Sequence, residues 1–223
     1  MFLFITLYHN DASHCLCYNM FMDLANISDV VTTLENRLES IETADTLIDA
    51  LEGQLPHARK AAVLLILFEY EGATTILFIR RASTLRAHRG EIAFPGGGVD
   101  ATDSSVIMAA LREAQEEIGL EPDRVEVLGL LHPVFTVVSN YLIIPVVAYL
   151  PQGLGTLQLQ AAEVTEIILA SLPGLTDPSV THFHTERWSR DGRTRIVYFY
   201  DYGQYRIWGA TARILNGLLE VLQ

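Results

Sequence analysis

Three glutamates lie close together in one short stretch of the sequence. They are Glu113, Glu116 and Glu117, and Arg112 directly precedes them. Because residues three and four apart share one face of a helix, a helix here would project the carboxylates into one patch. Such crowding brings no gain in helix stability, since one Arg112–Glu116 pair only offsets the repulsion. Converging carboxylates are instead the ligands of a hard divalent cation such as Mg²⁺ or Mn²⁺.

A turn of three glycines, Gly96, Gly97 and Gly98, comes shortly before these glutamates. Glycine allows positive φ and close backbone approach, so a backbone carbonyl or amide could join the same site. Free N–H groups at a helix N-terminus also suit phosphate. Glycines alone would only indicate a turn. The turn, the spacing and the clustered carboxylates together predict a site for a metal ion and a phosphorylated ligand.

The basic residues are nearly all arginine within an acidic chain. The net charge is −12, and Lys60 is the only lysine among fifteen basic residues. That balance disfavours a general nucleic-acid or membrane-surface binder, which would need a basic face. Guanidinium groups suit phosphate and carboxylate recognition, although solvated charge explains the second cluster equally well. The two clusters are Arg80, Arg81, Arg86 and Arg89, then Arg187, Arg190, Arg193 and Arg195.

The first twenty-two residues carry no chemistry that we can assign. Cys15 and Cys17 are the only cysteines, and they are too few for a zinc site or a disulfide framework. A reducing, cytoplasmic location is therefore the default expectation. We expect residues 1–22 to be disordered or a misassigned start, with translation beginning at Met20 or Met22. No apolar run approaches the length of a membrane span.

The remaining chain, 23–223, predicts one domain built from strands interspersed with helices. Ser28 is expected to cap one or two helices over 28–53, and continuous or alternating apolar runs predict strands. The segment 161–175 is expected to start as strand or loop and to end helical, and periodicity does not decide its start. A mixed β-sheet flanked by helices on both sides, an α/β (α+β) sandwich, follows from this order. Predicted strands are 61–70, 74–81, 125–132, 142–150 and 193–202; predicted helices are 105–118 and the C-terminal segment from Ala210.

The glutamate segment resembles the Nudix box, G-x5-E-x7-R-E-U-x-E-E-x-G-U, where U is apolar. Its second half is present in full from Arg112 to Leu120. The first half departs from the pattern, because the position of the first glutamate falls on Ser104. The nearest acid is Asp103. The spacing between Gly97 and Asp103 fits the x5 of the pattern, but one residue more than the x7 of the pattern separates Asp103 from Arg112.

The segment from Leu77 to Gly97, "LFIRRASTLRAHRGEIAFPGG", narrows this resemblance. It is similar to L-L-T-x-R-[SA]-x3-R-x3-G-x3-F-P-G-G, a signature of the coenzyme A pyrophosphatase branch of the Nudix hydrolases. Phe78 and Ile79 replace two residues of the pattern by apolar ones. The resemblance covers about residues 55–220. The positions in register are Arg81, Ala82, Arg86, Gly90, Phe94, Pro95, Gly96 and Gly97.

The resemblance implies a Nudix-type α/β/α sandwich that hydrolyses coenzyme A (CoA) to 4′-phosphopantetheine and adenosine 3′,5′-bisphosphate, with Mg²⁺ or Mn²⁺. Arg112 would orient the glutamates. Glu163 is the candidate for a general base, and a solvated acid at a strand edge is an equal alternative. Arg80 should point away from the site, because alternate strand residues face opposite ways. The implied metal ligands are Glu113, Glu116, Glu117 and the Gly97 carbonyl; the implied substrate contacts are Arg81, Arg86, His88, Gly96 and Gly97.

Two other functions remain open at this point. One is hydrolysis of another nucleoside diphosphate derivative, such as ADP-ribose, NADH or a nucleotide sugar. The other is a catalytically silent nucleotide-binding module, which would be expected to have lost some of the three glutamates. We expect a small-molecule substrate and no nucleic acid, and the sequence leaves a homodimer open. Trp208, Tyr198 and Tyr200 are interpreted as core or sheet residues rather than an adenine-stacking platform.

Overall fold

The computed structural model describes residues 22–55, 57–84, 88–190 and 192–223. Cys15, Cys17 and Arg86 lie outside these ranges. The helices are α1 (Ile27–Arg37), α2 (Ile41–Gln54), α3 (Val106–Ile118), α4 (Leu172–Thr176) and α5 (Gly209–Val221), with a 3₁₀ turn at Pro122–Arg124. The strands are β1 (Arg59–Tyr70), β2 (Ala73–Arg81), β3 (Ile92–Ala93), β4 (Gly96–Gly98), β5 (Glu126–Leu130), β6 (Val134–Thr136), β7 (Tyr141–Tyr149), β8 (Val164–Ser171), β9 (Thr181–Arg190), β10 (Arg193–Tyr202) and β11 (Tyr205–Trp208).

The main sheet is mixed, and β1 lies at its centre. β1 runs parallel to β7 over Arg59–Leu67 and forms an antiparallel hairpin with β2. On the β2 side, the start of β1 pairs instead with the glycine strand β4, while β3 pairs with the end of β2. The short segment β3–β4 therefore enters the sheet where β1 and β2 diverge. This places the glycine turn inside the sheet rather than on a surface loop.

Helices cover both faces of this sheet. On one face, Ala110, Ala114 and Ile118 of α3 pack on β1 and β7 in a core that also includes Ile48 of α2. On the other face, Val30 and the apolar side of α5 complete a second core. The predicted mixed sheet flanked by helices is confirmed. No helix in the described ranges is long and apolar enough to cross a membrane.

A second, three-stranded antiparallel sheet, β9–β10–β11, was not predicted. Only β10 was recognised from its alternation. β9 was missed because polar residues occupy both of its faces, so its hydrophobic pattern is weak. Tyr200 and Ile207 turn one face of this sheet towards α5. Tyr205 joins the two sheets, since its hydroxyl donates to Glu166 of β8 at 2.7 Å.

One helix cap differs from the sequence prediction. The cap of α1 is Asn26 rather than Ser28, because the Asn26 side chain accepts a hydrogen bond from the Ser28 amide. The segment 161–175 begins with a turn, forms β8 up to Ser171 and ends in α4, in agreement with its expected helical end. The Ser171 side chain then caps the short helix α4 through the Gly174 amide.

Candidate active site

The ends of α3 are set by local sequence. The Ser105 hydroxyl accepts a hydrogen bond from the Met108 amide at the N-terminus, and Gly119 ends the helix with a left-handed φ of 70°. Between these ends, the apolar side of the helix is buried against the sheet. Glu113 and Glu117, one turn apart, then lie against β4. The buried side of the helix thus determines where the two carboxylates point.

The glycine strand β4 approaches these carboxylates very closely. A Cβ on Gly97 would lie 2.5 Å from the Glu113 carboxylate, so any larger residue there must displace that carboxylate. The Gly96 amide donates to Oε2 of Glu117 at 2.9 Å. Gly96 has φ 150°, and a Cβ on it would meet the Ala62 carbonyl oxygen at 2.3 Å. Close backbone contact therefore requires glycine at 96, and glycine at 97 leaves room for the Glu113 carboxylate.

Glu117 is a buried acid, with 1% of its surface exposed. Burial is the main cause that raises its pKa to about 7, and the charges of Glu113 and Glu163 act in the same direction. The Gly96 amide and Arg81 oppose this rise. Burial also raises the pKa of Glu113, with Arg112 opposing and Glu116 and Glu163 contributing further. The site therefore holds several carboxylates that repel one another in a poorly solvated place.

Arg112 braces this acidic group. Its Nη1 donates to Glu113 at 3.0 Å and to Glu116 at 3.1 Å, and its Nη2 donates to the Gly98 carbonyl at 3.1 Å. Asp103 completes the arrangement, because its two oxygens accept from Nε and Nη2 of Arg112, each at 3.0 Å. These bonds raise the pKa of Arg112, so the guanidinium stays charged. Arg112 fixes the positions of its acidic neighbours.

Asp103 is the site residue that the motif comparison left without a role. The box expects a glutamate one residue later, where this chain has Ser104. The Asp103 side chain is only 5% exposed and forms a two-point pair with Arg112. The sequence signal for this role was that Asp103 is adjacent to Ser104, the position where the box has a glutamate. The shorter acid reaches Arg112 from a turn whose own geometry it helps to set, by accepting from the Asp100 amide at 2.8 Å.

We expect Asp103→Asn to lower the free energy of unfolding at pH 7 by about 1–3 kcal/mol, because a charged partner of Arg112 is lost. The Arg112 bond holds the pKa of Asp103 below its ordinary 3.8. Its contribution is therefore present above that ordinary value and is lost as the pH falls through the folded-state pKa. Urea unfolding at pH 7 and in acid measures both effects.

Asp100→Asn is the matched control for this prediction. The Asp100 side chain is 70% exposed and lies 3.9 Å from Arg112, so its loss should change stability by less than about 0.5 kcal/mol. Equal losses for the two variants would contradict the structural role of Asp103.

Arg80 and Arg81 point to different surroundings, as strand alternation predicts. Nε of Arg80 donates to Glu166 at 2.7 Å, and its guanidinium lies 5.5 Å from the ring centre of Tyr205. Arg81 instead reaches Glu117, with Nη1 3.5 Å from Oε1. Nε of Arg81 is buried and has no hydrogen-bond partner among the described residues. A buried donor without an acceptor beside the carboxylates fits a site that receives an anionic oxygen.

Two of the other predicted site residues, Glu163 and His88, are described by the structure. Glu163 has an exposed side chain whose charge raises the pKa of Glu113 and of Glu117, and its backbone carbonyl accepts from Ala82. His88 is exposed, and Nδ1 of its ring lies 2.9 Å from a Glu91 oxygen, so the contact found for it is with Glu91 rather than with the glutamates of α3. Arg86 falls outside the described residues.

The donor chemistry of this centre fits a divalent cation. Within the described part of the chain, no three acidic or histidine side chains already surround a common point at metal-binding distance. Arg112 engages Glu113 and Glu116, and the Gly96 amide engages Glu117. Burial and the neighbouring carboxylates raise the pKa values of Glu113 and Glu117, so a cation bound beside them would stabilise their charged forms. All the available donors are oxygens, the type that Mg²⁺ and Mn²⁺ prefer.

The mixed-sheet sandwich and the braced glutamate helix beside a glycine strand define the class of protein. The NUDIX domain family matches residues 58–186, more than half of the chain. The chain belongs to the Nudix hydrolase family. The match ends within β9, and the assignment of 23–223 to a single domain stays a prediction.

Relatives in this family are close in sequence. The chain is 42% identical to the uncharacterized Nudix hydrolase NudL of Photorhabdus laumondii, over 74% of this chain and 86% of that protein. It is 38% identical to NudL of an Enterobacter species, over 72% and 81% of the two chains. A solved MutT/nudix family protein from Enterococcus faecalis shares 17% identity, with a TM-score of 0.47 and coverage of 89% of this chain and 74% of that one.

Proposed function

We propose that this chain is a metal-dependent pyrophosphohydrolase of coenzyme A or its derivatives, located in the cytoplasm. Nudix hydrolases act on nucleoside diphosphate derivatives and generally use divalent cations such as Mg²⁺ or Mn²⁺. The observation that carries the hydrolytic function is the convergence of Glu113 and Glu117 on the glycine strand, beside the unsatisfied donor of Arg81. The narrower choice of CoA is supported by the segment Leu77–Gly97, which resembles the signature of the CoA-cleaving branch.

The α3 carboxylates would hold the cation. Glu113, Glu116, Glu117 and the Gly97 carbonyl are the proposed ligands. When bound, the cation neutralises charge on the diphosphate and lowers the pKa of a water molecule. Arg112 keeps the carboxylates in place through its bonds to Glu113 and Glu116, and Asp103 fixes Arg112 in turn. Glu117 is held against the Gly96 amide, so its charge stays beside the glycine strand.

Arg81 is the proposed contact for the diphosphate. Its Nε, which has no partner among the described residues, and its long 3.5 Å approach to Glu117 leave donors available to a phosphate oxygen. Burial strengthens such a contact, because few water molecules compete for it. From the resemblance we assign the same role to Arg86 and His88, and Gly96 and Gly97 allow the ligand close to the backbone.

Glu163 is our proposed general base. It is exposed, so it can exchange protons with solvent, and its charge acts on both Glu113 and Glu117. A base in this place would take a proton from the attacking water while the carboxylates of α3 remain ligands. A glutamate of α3 itself is the alternative.

One assay tests the proposed function. Purified protein is incubated with Mg²⁺ or Mn²⁺ and, separately, CoA, ADP-ribose and NADH, and the products are identified by chromatography. We expect 4′-phosphopantetheine and adenosine 3′,5′-bisphosphate from CoA. Cleavage of ADP-ribose with CoA left intact would reject the substrate, but not the Nudix chemistry. Intact substrates throughout, together with tight nucleotide binding, would favour a silent module.

We expect Arg81→Lys to raise KM for the cleaved substrate about tenfold or more, because an ammonium cannot replace the guanidinium fork at a phosphate. Arg80→Lys is the matched control on the neighbouring strand position. It should leave KM nearly unchanged, since Arg80 contacts Glu166 and Tyr205 instead. Initial-rate kinetics on both variants measure the difference, and equal KM values would remove Arg81 from the phosphate site.

A further inference from the structure

The outer face of the three-stranded sheet carries a groove of about 330 Å³ outside the glutamate site. Its lining residues come from all three strands. The opposite face of the sheet holds Tyr200 and Ile207 and packs on α5, so the groove faces away from that core. The groove is lined by Glu186, Trp188, Phe199, Arg206 and Trp208.

The aromatic rings of this face form an ordered platform. Strand pairing places His184 opposite Phe199, and Phe199 opposite Trp208. The ring centres of His184 and Phe199 are 4.8 Å apart with planes at 3°, and those of Phe199 and Trp208 are 6.3 Å apart at 10°. Phe199 is buried beneath its neighbours. The platform is therefore already packed before any ligand arrives.

Trp188 is the exposed part of this platform. It is 47% exposed, which is unusual for the largest apolar side chain. Its indole N–H donates to a Glu186 oxygen at 2.6 Å, so the ring is held in one orientation and its polar atom is already satisfied. What remains available is the flat apolar face of the ring. Such a surface suits stacking by another planar ring.

Positive charge lies beside the rings in a chain whose net charge is −12. Arg195 is the register partner of Trp188 and therefore lies on the same face of the sheet. Arg206 lines the groove, is 64% exposed, and is held by Asp201 through bonds of 2.7 and 3.1 Å. Arginines next to a stacking ring are the combination that binds a base together with its phosphate.

We propose that this face binds a purine nucleotide, with the base stacked on Trp188 and its phosphate at Arg195, the register partner of that ring. The groove volume lies at the small end of the roughly 300–1,000 Å³ typical of ligand sites, which suits a nucleotide rather than a whole CoA molecule. The nucleotide is either the nucleotide half of the substrate, a form that rests on the proposed function, or a separate nucleotide.

The two tryptophans make a direct test available. The chain contains only two, and both line the groove, so tryptophan fluorescence reports on this place alone. Adenosine 3′,5′-bisphosphate is added to the full-length protein in EDTA, where no hydrolysis occurs. We expect a saturable change in fluorescence. Adenosine, which lacks the phosphates, should bind at least about tenfold more weakly, since charge-assisted bonds are lost.

Variants locate the binding. Trp188→Leu should weaken binding of adenosine 3′,5′-bisphosphate about tenfold or more in calorimetry. Arg195→Gln, which leaves the rings intact, should weaken the binding of the bisphosphate but not the binding of adenosine. Ile196→Thr is the control, because Ile196 is 56% exposed on the opposite face of the same hairpin and should leave both affinities unchanged. Circular dichroism checks that each variant is folded. If Trp188→Leu does not fold, Arg195→Gln still tests the proposal.

Kinetics distinguish the two sources of the nucleotide. If the groove holds the substrate's own nucleotide half, Trp188→Leu raises KM and leaves kcat nearly unchanged. An unchanged KM together with the fluorescence change indicates a separate nucleotide. The absence of any nucleotide-dependent fluorescence change in the folded protein overturns the proposal. So does a Trp188-dependent dimer without nucleotide binding, since a second copy would then cover the face. Failure of CoA cleavage leaves the EDTA titration intact, so the two proposals fail separately.

Discussion

Glu117→Gln is expected to lower kcat by about a thousandfold while the protein stays folded. The cation contributes several kcal/mol of charge stabilisation in such reactions, and each 1.36 kcal/mol is a tenfold change in rate. Glutamine keeps the size of the side chain and an oxygen for the Gly96 amide, so the packing around position 117 is preserved. The negative charge is removed, and an amide nitrogen replaces the oxygen that Arg81 approaches. Steady-state kinetics with Mg²⁺ and with Mn²⁺ measure the loss.

The same substitution should stabilise the metal-free protein at alkaline pH. The pKa of Glu117 is about 7 in the folded chain and near its ordinary value of 4.5 in the unfolded chain. A raised acid pKa stabilises the fold below the unfolded value, and this stability is lost as the pH rises through the folded value. The loss of stability is on the order of 3 kcal/mol. Glutamine does not ionise, so the variant does not lose this stability. Urea unfolding in EDTA at pH 5 and pH 8 should show that the free energy of unfolding of Glu117→Gln, relative to the parent protein, is higher at pH 8 than at pH 5.

Glu121→Gln is the control for both measurements. Glu121 is exposed just beyond the end of α3, so its neutralisation should change neither kcat nor the pH dependence of stability. An active Glu117→Gln enzyme would remove Glu117 from the metal site. A variant that is less stable than the parent at pH 8 would instead contradict the unfavourable burial of the charge.

The parts of the fold that repeat a clear hydrophobic period could be predicted from sequence. The run at β1 and the amphipathic α3 are long, regular and buried, so their patterns decide their structure. β9 could not be found this way. Polar residues occupy both of its faces, so no clear hydrophobic period marks it, and its partner strand, β10, is supplied by the tertiary structure.

The candidate site divides along similar lines. The motif spacing predicted the three glutamates of α3 and Arg112 as site residues. Residues three and four apart in a helix are neighbours, so their proximity can be read from sequence. The role of Asp103 was not readable, since it depends on the path of the turn between β4 and α3. The buried Nε of Arg81 could not be predicted either, because only the folded structure shows that no described residue pairs with it.

Substitution of the glycines of β4 is also expected to have large effects on activity. Gly97→Ala is expected to lower kcat by about a hundredfold or more, because the new methyl would lie 2.5 Å from the Glu113 carboxylate and must displace it. Gly98→Ala is its neighbour and control. A Cβ there meets nothing within 4 Å, and Gly98 has no positive φ, so activity and melting temperature should hardly change.

Gly96→Ala completes the series with a different failure. Its Cβ would meet the Ala62 carbonyl oxygen at 2.3 Å and the Val63 Cα at 2.6 Å, and backbone atoms cannot move aside as a flexible side chain can. We therefore expect this variant to lose stability, seen in urea unfolding, as well as activity. Three adjacent glycines thus separate three effects: stability at 96, placement of the carboxylate at 97 and tolerance at 98. A Gly97→Ala enzyme with parental kcat would show that Glu113 need not lie against the glycine strand for catalysis.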